Sequence, residues 1–231
     1  IAIPILYFII FKYIPMGGLI IAFKDYNIFE GFLGSKWVGL DVFKEVFATD
    51  EIFVVVRNTL MLNLLDLIFS FPAPIILAIT LNELQNKHFK RLSQTVLYLP
   101  HFISWVIIGG IVTQIFATNT GIINNFLTKF GIEPIPFLTD KNYWLITYVA
   151  TGIWQSAGWG TIVFLAAIVN INKELYEAAY VDGAGLLRKI WHIVLPGIRS
   201  TIIVLLILRI GQMVNIGFER PYVMSNRLVS D

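Results

Sequence analysis

The chain has 231 residues, 57% of them hydrophobic and only 14% charged, with a mean hydropathy of +0.75; soluble domains carry about a quarter of charged residues. A net charge of +2, with no basic run interleaved with aromatics, argues against nucleic acid as a partner. The absence of cysteine removes disulfides, thiolate catalysis and Cys-based metal sites together.

A bilayer core of about 30 Å needs about 20 mostly apolar residues in a helix, and five stretches meet or approach that. Residues 1–23 form the first, with Lys12 inside it. Residues 53–81 form the second, expected to kink or break around Pro72 and Pro74. The third, fourth and fifth are 96–117, 143–169 and 198–214. The fold class expected is therefore all-α, a polytopic transmembrane helical bundle in one domain over 1–231. A start at Ile1, with neither methionine nor basic n-region, and a polar end at Asp231 suggest a piece of a longer chain.

Orientation follows from Lys and Arg on short loops. The loop 82–95 carries Lys87, Lys90 and Arg91, and the loop 170–199 carries Lys173, Arg188, Lys189 and Arg199. On the opposite side Lys24, Lys36, Lys44, Lys129, Lys141, Arg220 and Arg227 are spread more thinly. In the first loop they are outnumbered by Asp25, Glu30, Asp41, Glu45, Asp50 and Glu51. The denser side is expected to be cytoplasmic. The polar segment 24–51, with Gly31, Gly34 and Trp37, is expected to be an ordered external lid or short amphipathic helix.

Between the fourth and fifth spans lies a glycine-punctuated polar turn, EAAYVDGAGLLRKIWHIVLP over 177–196. Residues 173–181 favour a short helix that Asn172 can cap, and Asp182-Gly183 is a stop signal in which glycine takes positive φ at low cost. Beyond it Leu187, Ile190, Trp191 and Val194 recur with helical spacing up to Pro196, which can sit at the start of the fifth span.

Glu177, Ala178, Ala179, Gly183, Ile193, Leu195 and Pro196 occupy every position of the pattern E-A-A, three residues, G, nine residues, I, one residue, L-P. This segment resembles the EAA loop of permeases of binding-protein-dependent ABC importers. FKDYN over 23–27 and the WVGLDVF block over 37–43 are similar to the subgroup that imports polysaccharide-derived oligosaccharides. The resemblance implies a type I importer permease of six spans, the sixth lying beyond Asp231, in a bacterial or archaeal cytoplasmic membrane. It also implies two ATP-binding partner subunits, a second and related permease, and an extracellular solute-binding protein. The loop 171–196 would couple to the ATPase through Glu177, Ala178, Ala179, Asp182, Gly183, Ile193, Leu195 and Pro196. ATP and Mg would belong to the partner: the chain has no G-x-x-x-x-G-K-[ST] phosphate loop. Neither a cofactor, a metal site nor a catalytic residue is expected on this chain.

Polar side chains within a bilayer are costly and are functional candidates. Asp66 and Arg209 stand at similar depth by residue count, either as an ion pair between helices or on a substrate path. Asn63, Gln114, Gln155 and Gln212 are candidates for the same path or for interhelical hydrogen bonds. Trp154, Gln155 and Trp159 in GIWQSAGWG combine flat aromatic faces with an amide, chemistry apt for sugars, while Gly152, Gly158 and Gly160 suit close helix packing. Trp is also common at membrane interfaces. A competing class, a transporter or channel driven by an ion gradient, would call for matching Gly/Pro-interrupted helices in two halves, and Pro72 and Pro74 have no obvious counterpart. An intramembrane enzyme would need motifs such as H-E-x-x-H or G-x-S-x-G, and neither occurs.

Overall fold

A computed structural model describes residues 2–213 and 217–226. Its contacts divide the chain into two units, Ile1–Arg57 and Asn58–Asp231. Elements are named in chain order: α1 Ala2–Phe23, β1 Lys24–Asp25, α2 Gly31–Gly34, β2 Lys36–Trp37, α3 Asp41–Ala48, α4 Asp50–Glu83, α5 Lys87–Phe102, α6 Trp105–Phe116, α7 Ile122–Thr128, α8 Lys141–Val169, α9 Lys173–Val181, α10 Leu186–Gly197, α11 Arg199–Gly211 and α12 Glu219–Met224.

In the first unit α1 is apolar apart from Lys12, and no residue of its most hydrophobic stretch is buried among the described residues. After it β1 and β2 pair antiparallel, Lys24 opposite Trp37. Phe23 stacks on Trp37 at 5.8 Å and meets Phe43 of α3 at 5.4 Å. The segment 24–51 thus contains the short amphipathic helix expected from its sequence.

Among the described residues three helices are long and apolar enough to cross a membrane (α1, α4 and α8), and up to five spans result if each of two bent pairs counts as one. Two of the expected spans are bent. The third, 96–117, is split: α5 and α6 meet at 105°. Pro100 cannot continue the hydrogen-bond ladder, and Ile103 and Ser104 are extended, which turns the chain before α6 begins. The fifth starts with a 62° bend between α10 and α11 at Ile198, and α11 ends at Gly211; Val214, given above as the end of that span, lies outside the described residues. The stretch 82–95 is largely helical, since Asn86 accepts hydrogen bonds from the backbone of His88 and Phe89 and starts α5 at Lys87.

α4 is not broken at Pro72. The residues before Pro15, Pro72 and Pro196, which are Ile14, Phe71 and Leu195, each donate their N–H five residues back, to Ile9, Asp66 and Ile190. Widening the preceding turn to a π turn makes room for the carbonyl that a proline ring would strike, so the helix continues with a local bulge.

The second unit is organised by the 29-residue α8. Toward its start Trp144, Tyr148 and Val149 form a core with Leu62 of α4, Ile108 and Val112 of α6 and Met224 of α12. Toward its end Phe164 and Ile168 pack with Ala78 of α4, Val194 of α10 and Ile198. Close approach depends on absent side chains: a Cβ at Gly158 would fall on the Leu97 carbonyl of α5, and one at Gly160 on the Pro74 ring. These glycines serve close packing.

Candidate functional site

The carboxylate of Asp66 is buried, 4% exposed, at the start of the π turn of α4. A charge so placed needs a partner, since a buried charge without one costs several kcal/mol. The expected partner, Arg209, is the lesser one: its Nη2 lies 3.9 Å from Asp66 Oδ2 and its side chain is 43% exposed. The primary partner is Arg220 of α12, counted above among the thinly spread charges of the opposite side. Its Nη1 donates to Asp66 Oδ2 at 2.6 Å and its Nη2 to Asp66 Oδ1 at 3.3 Å. Fork-on-carboxylate geometry of this kind is what a planar guanidinium offers and an ammonium does not.

Arg220 is fixed from further sides. Nη2 also donates to the Tyr148 carbonyl at 2.6 Å, and the guanidinium lies 3.7 Å from the centroid of the Tyr148 ring and 5.3 Å from that of Trp105. Gly152, one turn after Tyr148, makes the approach possible: a Cβ there would overlap the guanidinium. Ser70 adds a hydroxyl to Asp66 Oδ1 at 3.1 Å. α12 is itself anchored, because Trp144 Nε1 donates to the Met224 carbonyl at 2.7 Å.

Beside the ion pair is a polar cleft of about 360 Å³. Four of the sequence candidates line it: Asn63, Asp66, Gln155 and Arg209. Gln155, at the midpoint of α8, places Nε2 3.5 Å from the His101 carbonyl, whereas buried Asn63 turns its amide onto Thr59 of its own helix at 3.0 Å. The other four candidates lie elsewhere. Trp154 faces an apolar groove with Ile111, Ile115 and Phe116. Trp159 stacks on His101 at 4.7 Å with rings 4° from parallel, and Phe102 meets it edge-on. Gln114 and Gln212 are exposed and do not line the cleft. Trp154 and Gln155 are adjacent on a helix, so they point about 100° apart, and sequence proximity could not put both on one surface. Sequence reasoning missed Arg220, Trp105, Ser156, Phe218 and Glu219 in the lining. For Arg220 a signal existed: Asp66 required a cation, and Arg220 lies only eleven residues beyond Arg209.

The segment 172–197 forms the helix-turn-helix that its sequence indicated. The Asn172 side chain accepts from the Glu174 N–H at 3.0 Å, α9 runs to Val181, and Gly183 turns the chain with φ +65°. Glu177 and Ala178 are exposed, Ala179 partly so. Of the apolar stripe on α10, Val194 turns into the core at 1% exposure, whereas Leu187 and Trp191 are exposed at 72% and 67%, and Tyr180 and Val181 before the turn are exposed as well. Tyr176 is partly buried on the inner side. Burial first, and the nearby Glu83 carboxylate second, push its phenol above the usual range, and its hydroxyl has no hydrogen-bond partner among the described residues.

Residues 55–218 match the model of the family described as binding-protein-dependent transport system inner membrane component. Among relatives, Protein LplB of Bacillus subtilis (strain 168) is 53% identical over 97% of this chain and 70% of its own length. The polygalacturonan/rhamnogalacturonan transport system permease protein YteP of the same organism is 47% identical over 96% and 69%. Among solved structures, a bacterial ABC transporter involved in import of the acidic polysaccharide alginate contains a chain that superposes with a TM-score of 0.89 at 40% identity, over 98% of this chain and 76% of that one. A bacterial alginate ABC transporter in complex with an alginate pentasaccharide-bound periplasmic protein gives a TM-score of 0.89 at 40% identity, over 99% of this chain and 76% of that one. The chain belongs to the binding-protein-dependent transport system inner membrane component family, with the helical permease fold of that importer.

Proposed function

We propose that this chain is the membrane-spanning permease subunit of an ATP-driven oligosaccharide importer. It passes sugar from an external binding protein through the polar cleft and couples to a separate ATPase through residues 171–196. The observation that carries the reading is mechanical. The exposed knob α9–α10 continues through a single bend at Ile198 into α11, and α11 carries Arg209 to the cleft. A displacement of the knob by a partner therefore reaches the cleft along one short helix. In this scheme Glu177 is the polar anchor, Gly183 the turn, and the outward Tyr180, Val181, Leu187 and Trp191 the apolar surface that an ATPase covers. The chemistry of ATP and Mg belongs to that partner, and a second permease completes the path. Relatives named for polygalacturonan, rhamnogalacturonan and alginate support a polysaccharide-derived substrate.

A cysteine at Tyr180 tests the coupling arm. It is expected to crosslink to a co-purifying ATPase and to be shielded from an impermeant thiol reagent applied outside intact cells. Labelling from outside would refute the orientation, and a transporter purified without an ATPase would refute the class.

A further inference from the structure

α12 uses one side completely. Arg220 enters the ion pair, Val223 lies where a Cβ on Gly109 of α6 would be, and the Met224 carbonyl accepts from Trp144. The opposite side presents two aromatic rings with no such role: Phe218, immediately before the helix, and Tyr222 are 73% and 67% exposed. They stack on each other with centroids 4.7 Å apart and planes 25° from parallel. Phe218 also lines the polar cleft, beside Glu219 and within the same wall set as Arg209 and Gln155.

We propose that the Phe218–Tyr222 stack is a platform on which one pyranose ring of the oligosaccharide rests at the rim of the cleft. Phe218 offers the face, and Tyr222 holds that ring in place. The C–H face of a sugar is apolar and polarised positive, so it suits the negative face of an aromatic ring, while its hydroxyls need donors and acceptors at the periphery. The cleft provides both kinds beside Phe218: the Glu219 carboxylate accepts, and the Arg209 guanidinium and Gln155 amide donate. The anchored side of α12 gives the platform a fixed position, which a ligand contact requires if it is not to lose affinity to ordering of the site. The place of Phe218 in the same wall as these polar groups favours a sugar over a lipid chain, which has no use for them.

The inference rests on the oligosaccharide reading above, and one experiment separates the two. The complete transporter with its binding protein is reconstituted in proteoliposomes. The probe is a pool of tri- to hexasaccharides from partial digests of pectin and hemicellulose, with uptake followed by mass spectrometry and normalised to assembled transporter. Phe218→Leu, which keeps apolar area and loses the flat face, is expected to raise KM about fivefold, the scale of one aromatic stacking contact. Phe218→Trp is expected to keep the wild-type KM, and Tyr222→Leu to raise it by less than Phe218→Leu. A Phe218→Leu transporter with wild-type KM overturns the platform, because a membrane anchor or a contact with a second chain would tolerate leucine. Failure of both the Leu and Trp variants to assemble assigns the rings to packing and also overturns it. A wild type that takes up no member of the pool refutes the oligosaccharide reading, and the platform with it.

Discussion

Asp66 and Arg220 meet at 2.6 Å across 154 residues of sequence, joining the π turn of α4 to the short helix α12 over the face of Tyr148. Arg209, which residue counting puts at a similar depth, stays at 3.9 Å and remains partly exposed in the cleft. The pair is therefore fixed on one side and open on the other.

Removing either member leaves a buried charge unpaired, so Asp66→Asn or Arg220→Gln should each destabilise the assembled permease by about 3–5 kcal/mol. The double change should recover part of that loss. Arg209→Gln should cost less than about 1 kcal/mol, the scale of an exposed pair. Thermal unfolding of the purified transporter, analysed as a double-mutant cycle, measures all three. Equal losses for Arg209→Gln and Arg220→Gln would contradict the assignment.

Gly183 has φ +65° and open space where a Cβ would be, so substitution there meets backbone strain and no clash. Gly183→Val should cost about 1–2 kcal/mol at the turn and weaken coupling, read as the ratio of sugar taken up to ATP hydrolysed. Gly183→Asn should keep a larger share of wild-type coupling, since Asn tolerates the left-handed region. The two variants behaving alike would refute the argument from conformation.

Gly158 and Gly110 separate close packing from glycine content. A Cβ at Gly158 would overlap the Leu97 carbonyl, whereas none at Gly110 meets anything within 4 Å. Gly158→Ala should lower assembly and thermal stability, at a cost of about 1–3 kcal/mol typical of overpacking. Gly110→Ala should leave both within about 0.5 kcal/mol. Quantitative recovery of the two variants from membranes and their melting curves provide the comparison.

The Tyr176 hydroxyl is buried without a hydrogen-bond partner among the described residues, and leaving such a group unsatisfied costs about 1–3 kcal/mol. Tyr176→Phe should therefore be at least as stable as wild type. Because burial and Glu83 raise the phenol, its contribution is present below pH ~10 and is lost only as pH rises beyond that. Stability between pH 6 and 9 should thus be the same for the two proteins apart from a constant offset. A destabilised Phe variant would mean that the hydroxyl has a partner in the assembled transporter.

Local chemistry was legible in the chain itself. Helical periodicity, a capping asparagine and a glycine after aspartate specify α9, its turn and α10, because each of those signals acts over a few residues and needs no distant partner. Hydropathy likewise located the long apolar helices α1, α4 and α8, since burial in lipid depends on composition over a window. Tertiary structure alone decided the rest. The choice of Arg220 over Arg209 depends on where α12 returns against α8. Coulomb attraction identifies that Asp66 needs a cation; only the closure of the chain, with a glycine at position 152 to admit the guanidinium, determines which one arrives.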